Sequence, residues 1–142
     1  MEQKVITVDF DETLAREELT SNGWMYFSSG ILHPITEVIE YVKELVGEGH
    51  IVHVVTYRND EDIPEVKEFV ERWKVPVSEI YNTNRGSKIP ILQRLKSTLH
   101  IDDHLSTIIE IEKAGISCML VDDGTHSNNS TADLFTRIYV KR

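Results

Sequence analysis

The chain has 142 residues, of which 40% are hydrophobic, and this is enough apolar material for one globular domain with its own core. Its 24 acidic and 15 basic residues give a formal net charge of −9. That charge argues against a domain that grips nucleic-acid phosphates through a broad basic face. It disfavours nucleic acid as a partner without excluding it, and it is compatible with a small phosphorylated substrate held by one or two local cations.

The sequence also predicts where the protein works. No apolar run approaches the ~18 residues that a membrane-spanning helix needs, so we expect no membrane partner. The chain opens with Met-Glu-Gln-Lys and enters a strand almost at once, so we expect no signal peptide. Cys118, the single cysteine, lies in an apolar stretch, where a small buried side chain is expected. We therefore predict a cytoplasmic protein with one domain over residues 1–142.

The first predicted strand, Val5–Val8, is short and rich in β-branched side chains, which is typical of a strand buried on both faces. Asp9 and Asp11 follow at its carboxyl end, where ligands bind in open α/β sheets. Two carboxylates so close in sequence repel each other, and a hard cation such as Mg²⁺ relieves that repulsion. An acidic turn after a strand is the simpler interpretation of the same residues.

Residues 14–33 follow, and they show poor periodicity with several aromatic side chains. We predict a small flap here, with a hairpin turning at residues 21–23. The aromatic residues Trp24, Tyr26 and Phe27 are expected either to cover a substrate or a neighbouring chain, or to pack on their own domain.

Beyond the flap, strand and helix patterns alternate. Helices are predicted from Pro34 to about Gly47, around Val66–Trp73, from Lys88 to about Leu95, and at about Leu105–Ala114. Strands are predicted at Ile51–Val55, Val77–Tyr81, Leu99–Ile101 and Ser117–Val121, with an edge strand at Phe135–Val140. Such alternation predicts right-handed βαβ units in a three-layer, doubly wound, Rossmann-like α/β domain with a mostly parallel sheet.

Polar side chains recur at the carboxyl ends of these predicted strands and at the start of one helix. Parallel strands end at the same rim of a sheet, so we expect these side chains to lie together. They are Asp9 and Asp11 after the first strand, Thr56 after the second, Lys88 at the start of a helix, and Asp102 with Asp103 after the fourth.

Four motifs in this order resemble those of the haloacid dehalogenase superfamily of phosphotransferases. They are VDFDET, HVVT, RGSK and LHIDD, and the resemblance covers roughly residues 4–121. It implies that Asp9 is the nucleophile and that Asp11 is the general acid and base. It also implies that Thr56 and Lys88 hold the phosphoryl oxygens. The implied Mg²⁺ site consists of Asp9, Asp11, Asp102 and Asp103.

Two of these assignments have competitors in the sequence. Lys96 is an alternative phosphate lysine, but Lys88 is favoured because it follows a turn and opens a helix. The pair 122–123, also two aspartates, competes for the metal, but the family's order favours the earlier pair and predicts a loop cap for the later one. Arg58 is predicted to bind substrate, and Arg85 is either a substrate contact or a surface charge.

The resemblance implies a Mg²⁺-dependent phosphomonoester phosphatase that acts through an aspartyl phosphate. The short flap implies a minimally capped member, whose open site admits a nucleotide or sugar phosphate or a phosphorylated end of a macromolecule. A second subunit covering the site, in a homo-oligomer, is also possible. A receiver-like domain and a catalytically silent binding domain are the alternatives, although a receiver needs an acceptor aspartate on its third strand, where this chain has Tyr81-Asn82.

Overall fold

The structure is a computed structural model that describes residues 2–23, 25–126 and 129–141. Its strands are β1 (Val5–Val8), β2 (Ala15–Asn22), β3 (Met25–Pro34), β4 (Ile51–Thr56), β5 (Ile80–Asn82), β6 (Leu99–Asp102), β7 (Ser117–Asp122) and β8 (Thr136–Tyr139). Its α-helices are α1 (Thr36–Gly47), α2 (Ile63–Arg72), α3 (Ile89–Leu95) and α4 (Leu105–Lys113). Short 3₁₀ turns lie at Asp60–Asp62 and Ala132–Leu134.

Six strands form one parallel sheet in the order β5-β4-β1-β6-β7-β8. Numbered along the chain without the flap strands, this is the 3-2-1-4-5-6 order of a doubly wound fold. The order reverses between β1 and β6, and such a switch point opens a crevice at the carboxyl ends of the strands. The predicted fold class is therefore confirmed, and the acids predicted to follow β1 and β6 meet at the switch point.

Helices cover both faces of the sheet, as the periodicity predicts. On one face, Val38 of α1 and Val66 of α2 belong to a core that also contains Val8 of β1. On the other face, Leu92 of α3 and Ile108 of α4 belong to a second core. Cys118 is buried in that second core, as expected, and burial raises the pKa of its thiol to about 12.

The predicted flap is an antiparallel hairpin of β2 and β3 that turns at Gly23, whose φ of 70° suits glycine. It begins where Ala15 pairs with Pro34, so both ends of the flap join the domain beside the switch point. Trp24 lies outside the described residues. Tyr26 and Phe27 lie in β3, and the covering role predicted for the aromatic residues stays a prediction.

Some predicted boundaries are wrong. The third strand of the main sheet is predicted at Val77–Tyr81 but occupies Ile80–Asn82. The Val77 N–H turns back to the Val75 carbonyl (2.8 Å), and bonding to β4 begins only at the Ser78 N–H (2.8 Å to the Val52 carbonyl). The first helix begins at Thr36 because Pro34 still pairs within the flap. The edge strand β8 is present and parallel to β7. No helix within the described ranges is long and apolar enough to cross a membrane.

Candidate active site

The ends of two neighbouring strands and the start of one helix build the site. Asp9 directly follows β1, Asp102 ends β6, and Lys88 directly precedes α3. The Asp9 N–H donates to the Ile101 carbonyl (2.9 Å), which ties the end of β1 to β6. The rim predicted from the sequence is therefore present, and it brings these three side chains together.

Lys88 is the central cation of the site. Its Nζ donates to Asp9 Oδ1 at 2.8 Å and to Asp102 Oδ2 at 2.7 Å, and the side chain is only 7% exposed. Burial alone would lower the pKa of Lys88, but the two carboxylates raise it above its ordinary value. Lys88 is therefore charged at neutral pH and locked between two acids.

Asp9, Asp102 and Asp103 form a cluster in which one oxygen of each lies within 4.8 Å of the others. The Thr13 hydroxyl lies between two of them, 3.3 Å from Asp9 Oδ2 and 3.2 Å from Asp103 Oδ1. Burial and the charge of Asp102 raise the pKa of Asp9, and the same two causes raise the pKa of Asp103 to about 6. The buried carboxylates of the cluster thus repel one another.

Asp102 behaves differently from its neighbours. Its Oδ2 accepts hydrogen bonds from Lys88 and from His100 Nε2 (2.9 Å), and its Oδ1 accepts the His104 N–H (3.1 Å). Burial alone would raise the pKa of Asp102, but Lys88 and His100 lower it below its ordinary value. Asp102 is therefore the member of the cluster that stays ionised, and both of its carboxylate oxygens accept hydrogen bonds.

This donor set fits a hard divalent cation. When ionised, the three carboxylates and the Lys88 ammonium leave two formal negative charges uncompensated, and Mg²⁺ prefers oxygen ligands. Asp9, Asp102 and Asp103 are the residues that would hold it. The side chain of Asp11, also predicted as a ligand, lies outside this cluster.

Arg58 holds Asp11 in its place. The guanidinium forms a bidentate pair with Asp11, with Nη2–Oδ1 at 2.8 Å and Nε–Oδ2 at 3.0 Å, and it also bonds Glu65. It lies over the ring of Phe10, 5.1 Å from the ring centroid. The hydrogen bonds to Asp11, and after them the one to Glu65, raise the pKa of Arg58. Arg58 is thus an anchor for Asp11 in this structure, and its predicted contact with substrate stays a prediction.

The remaining candidates from the sequence lie outside this cluster. Thr56 is fully buried at the end of β4, and its hydroxyl accepts the Arg58 N–H at 3.4 Å. Lys96 is exposed at the far end of α3, away from the cluster. Asp122 and Asp123 accept N–H groups of their own loop, at 2.8 and 3.1 Å, which is the capping role expected for them.

A cleft of about 720 Å³ opens above the cluster. Asp9, Lys88 and Asp102 lie among its lining residues, and exposed Tyr57 and Arg85 line it as well. No specific signal in the sequence marks Tyr57, or marks Thr13 beyond its place in the first motif. Thr13 could have been found as a hydroxyl four residues after Asp9, in the turn that follows β1.

No family model matches the chain, and no curated protein matches its sequence. Its fold is similar to solved structures. A chain in a Pnkp1/Rnl/Hen1 complex matches 82% of this chain with a TM-score of 0.62 and 14% identity, and this chain spans only 45% of that one.

Two phosphatases match more fully. The D,D-heptose 1.7-bisphosphate phosphatase from B. bronchiseptica, complexed with magnesium and phosphate, has a TM-score of 0.61 and 12% identity, over 84% of this chain and 80% of its own. The 3-deoxy-D-manno-octulosonate 8-phosphate phosphatase from Moraxella catarrhalis, in complex with magnesium, phosphate and KDO, has a TM-score of 0.61 and 15% identity, over 98% and 78%. The chain therefore shares the fold of these two phosphatases.

Proposed function

We propose that this protein is a Mg²⁺-dependent phosphomonoester phosphatase that acts through an aspartyl phosphate on Asp9. One observation carries the proposal: three carboxylates and one buried lysine meet at the switch point of the sheet, beneath an open cleft. Such an arrangement has no packing value, because burying like charges together is costly. It fits a reaction in which an anion attacks a dianionic phosphate.

Asp9 is the proposed nucleophile. Its Oδ1 is bound to Lys88 and its Oδ2 lies beside the Thr13 hydroxyl, so the carboxylate is held from both sides at the base of the cleft. When bound, Mg²⁺ supplies positive charge that lets an anionic nucleophile approach a phosphate. Lys88 contributes a fixed positive charge for the phosphoryl oxygens, and Thr56 is proposed to add a hydroxyl donor.

Asp11 is the proposed general acid and base. Its carboxylate is 48% exposed and lines the cleft, so it can exchange protons with water and reach a leaving group. In this role Asp11 gives a proton to the departing alkoxide and then takes one from the water that hydrolyses the aspartyl phosphate. Arg58 keeps the side chain at this position.

The proposed substrate is a small phosphomonoester, either a nucleotide or a sugar phosphate. The cleft volume of about 720 Å³ leaves room for a leaving group beyond the phosphoryl group. The two phosphatase structures were solved with phosphate, and one holds KDO, which supports the sugar phosphate. A phosphorylated macromolecule is the second candidate, favoured by the open site and by the similarity to a chain of the Pnkp1/Rnl/Hen1 complex.

Other classes fit the fold less well. The strand order of a receiver places its first strand between the second and third, whereas here the first is between the second and fourth. A silent binding domain has no chemical need for Asp9, Asp11 and Lys88 together. That the chain is one domain, works in the cytoplasm and forms a homo-oligomer over its site are further proposals, which rest on the sequence.

Phosphate release should depend on a hard cation. We expect the purified protein to hydrolyse p-nitrophenyl phosphate with Mg²⁺ and to fall to background with excess chelator, since the carboxylate cluster needs charge compensation. A panel of sugar phosphates, nucleotides, a phosphorylated oligonucleotide and a phosphopeptide then ranks the substrates. Turnover that survives the chelator would refute the metal requirement, and no turnover on any substrate would favour a silent domain.

Lys88 and Lys96 provide a matched pair. Lys88→Met, which keeps the length of the side chain, should lower kcat/KM on the order of 10²-fold or more, because the positive charge that stabilises the transition state is lost. Lys96→Met should be nearly neutral. Thermal unfolding of both variants checks that Lys88→Met remains folded, since removing one partner of a buried ion pair is destabilising. Equal effects of the two substitutions would contradict the assignment.

The effect of Mg²⁺ should grow with pH. The pKa of Asp103 is raised in the folded protein to about 6 from an ordinary 3.8, so the metal-free fold gains stability from this group below about pH 4 and loses it as the pH rises through 6. Asp9 shifts in the same direction. Mg²⁺ replaces the protons of these carboxylates, so its affinity should fall about tenfold per pH unit below pH 6 if one proton is displaced.

Calorimetric titration of MgCl₂ into metal-free protein between pH 5 and 7.5 measures this dependence. Asp103→Asn should weaken this dependence, because one of the two carboxyls with a raised pKa is gone. An affinity that stays constant across this range in the unmodified protein would contradict the prediction.

The aspartyl phosphate should be trappable in one variant. Asp11→Asn keeps the nucleophile but removes the acid and base, a loss of roughly 10²–10⁴-fold. With a nitrophenolate leaving group the first step needs little protonation, so the intermediate should accumulate on Asp9. Intact-protein mass spectrometry of acid-quenched Asp11→Asn should show one added phosphoryl group. The same adduct in Asp9→Asn/Asp11→Asn would refute Asp9 as the nucleophile.

A further inference from the structure

A chain of buried hydrogen bonds runs beneath the carboxylate cluster. His100 Nδ1 lies 2.8 Å from the Thr7 hydroxyl, and that hydroxyl lies 2.9 Å from the Ser97 hydroxyl. The Ser97 hydroxyl has one hydrogen to donate, either to the Thr7 hydroxyl or to the Leu99 carbonyl at 3.0 Å. Thr7 and His100 are completely buried and Ser97 nearly so. Polar side chains so deep in an apolar sheet are costly unless each is satisfied, and here each is.

This series of buried hydrogen bonds ends on Asp102. His100 Nε2 lies 2.9 Å from Asp102 Oδ2, the same oxygen that accepts from Lys88. An ionised carboxylate only accepts hydrogen bonds, so Nε2 carries the hydrogen and Nδ1 accepts the Thr7 hydroxyl. With the His104 N–H on the other oxygen, the plane of the Asp102 carboxylate is fixed by three donors.

Strand geometry explains why these residues meet. Thr7 and His100 are register partners on the adjacent parallel strands β1 and β6. Side chains two residues apart point to the same face of a strand, so Thr7 shares a face with Asp9, and His100 shares it with Asp102. The hydrogen-bonded layer therefore lies one step below the acids, on the same side of the sheet.

We propose that His100 is a positioning residue, which Thr7 and Ser97 hold in place so that it keeps the Asp102 carboxylate oriented toward Lys88 and the cation. This inference rests on the proposed function, because it assigns a role in the same cation site. The physical reason is the crowding of like charges. Without the donor from His100, the Asp102 carboxylate keeps only the hydrogen bonds from Lys88 and the His104 N–H among the described residues, within a cluster that repels it.

The neighbouring strand supplies a matched control. His53 of β4 is also a register partner of Thr7, on its other side. It is only half-buried, and its Nδ1 has no hydrogen-bond partner among the described residues. Its ring packs edge-on against Tyr81, with the ring centroids 5.5 Å apart. His53 thus shares the residue type and the level in the sheet with His100, but it does not contact an acid of the cluster.

The experiment measures Mg²⁺ binding without substrate, by calorimetric titration of MgCl₂ into the metal-free full chain at pH 7.5. Loss of such a supporting hydrogen bond costs roughly 10–100-fold in metal affinity, and this is expected for His100→Leu. His100→Gln places an amide N–H near the position of Nε2 and should bind within about threefold of the unmodified protein, less than a typical hydrogen bond is worth. His53→Leu should bind as the unmodified protein does.

Equal affinity of His100→Leu and the unmodified protein would overturn the proposal. So would an equal loss in His100→Leu and His100→Gln, because the donor would then not be what matters. If His100→Leu does not fold, the near-isosteric Thr7→Val decides: an affinity about fivefold lower supports the proposal, as expected for one lost hydrogen bond, and an unchanged affinity overturns it. An unmodified protein that binds no Mg²⁺ would instead refute the proposed function.

Discussion

The ammonium of Lys88 lies between the carboxylates of Asp9 and Asp102, and the geometry of the whole site depends on this arrangement. Buried charges are tolerated only when they are closely paired, and losing one partner of such a set is strongly destabilising. Three separate segments must therefore meet to within a few tenths of an ångström: the end of β1, the start of α3 and the end of β6. The register of β1 with β6 and the seating of α3 on the sheet together meet that demand.

The part of this arrangement that the sequence predicts is the part encoded locally. Alternating strand and helix periods define the layers, and acids placed directly after apolar strands mark the rim, because parallel strands share one carboxyl edge. Boundaries are less well encoded. Val77 was predicted in a strand, yet its N–H bonds a residue two positions back, and β-branched composition alone does not reveal that competition.

What the sequence does not predict are the contacts between segments far apart in the chain. Arg58 pairs with Asp11 across 47 positions, and Thr7 bonds His100 across 93. Each depends on the register of neighbouring strands or on the path of a loop, which no local pattern fixes. One signal was nonetheless present: Thr7 and His100 are polar residues inside apolar strands, each two positions before an acid of the site. A polar residue at that spacing shares a face with the acid it precedes, and this rule would have found the buried layer.

The burial of Asp9, Asp102 and Asp11 divides the site into two halves. Asp9 and Asp102 are buried and bound to Lys88, and Asp102 is further fixed by His100 beneath it. Asp11 lies half-exposed on the rim, held by Arg58, which it shares with the exposed Glu65. A group that orients charge gains from burial, because low dielectric strengthens its field. A general acid and base must reach water and the leaving group. In the proposed mechanism, the fold thus separates fixed electrostatics from proton transfer along one strand end, over the two residues that separate Asp9 from Asp11.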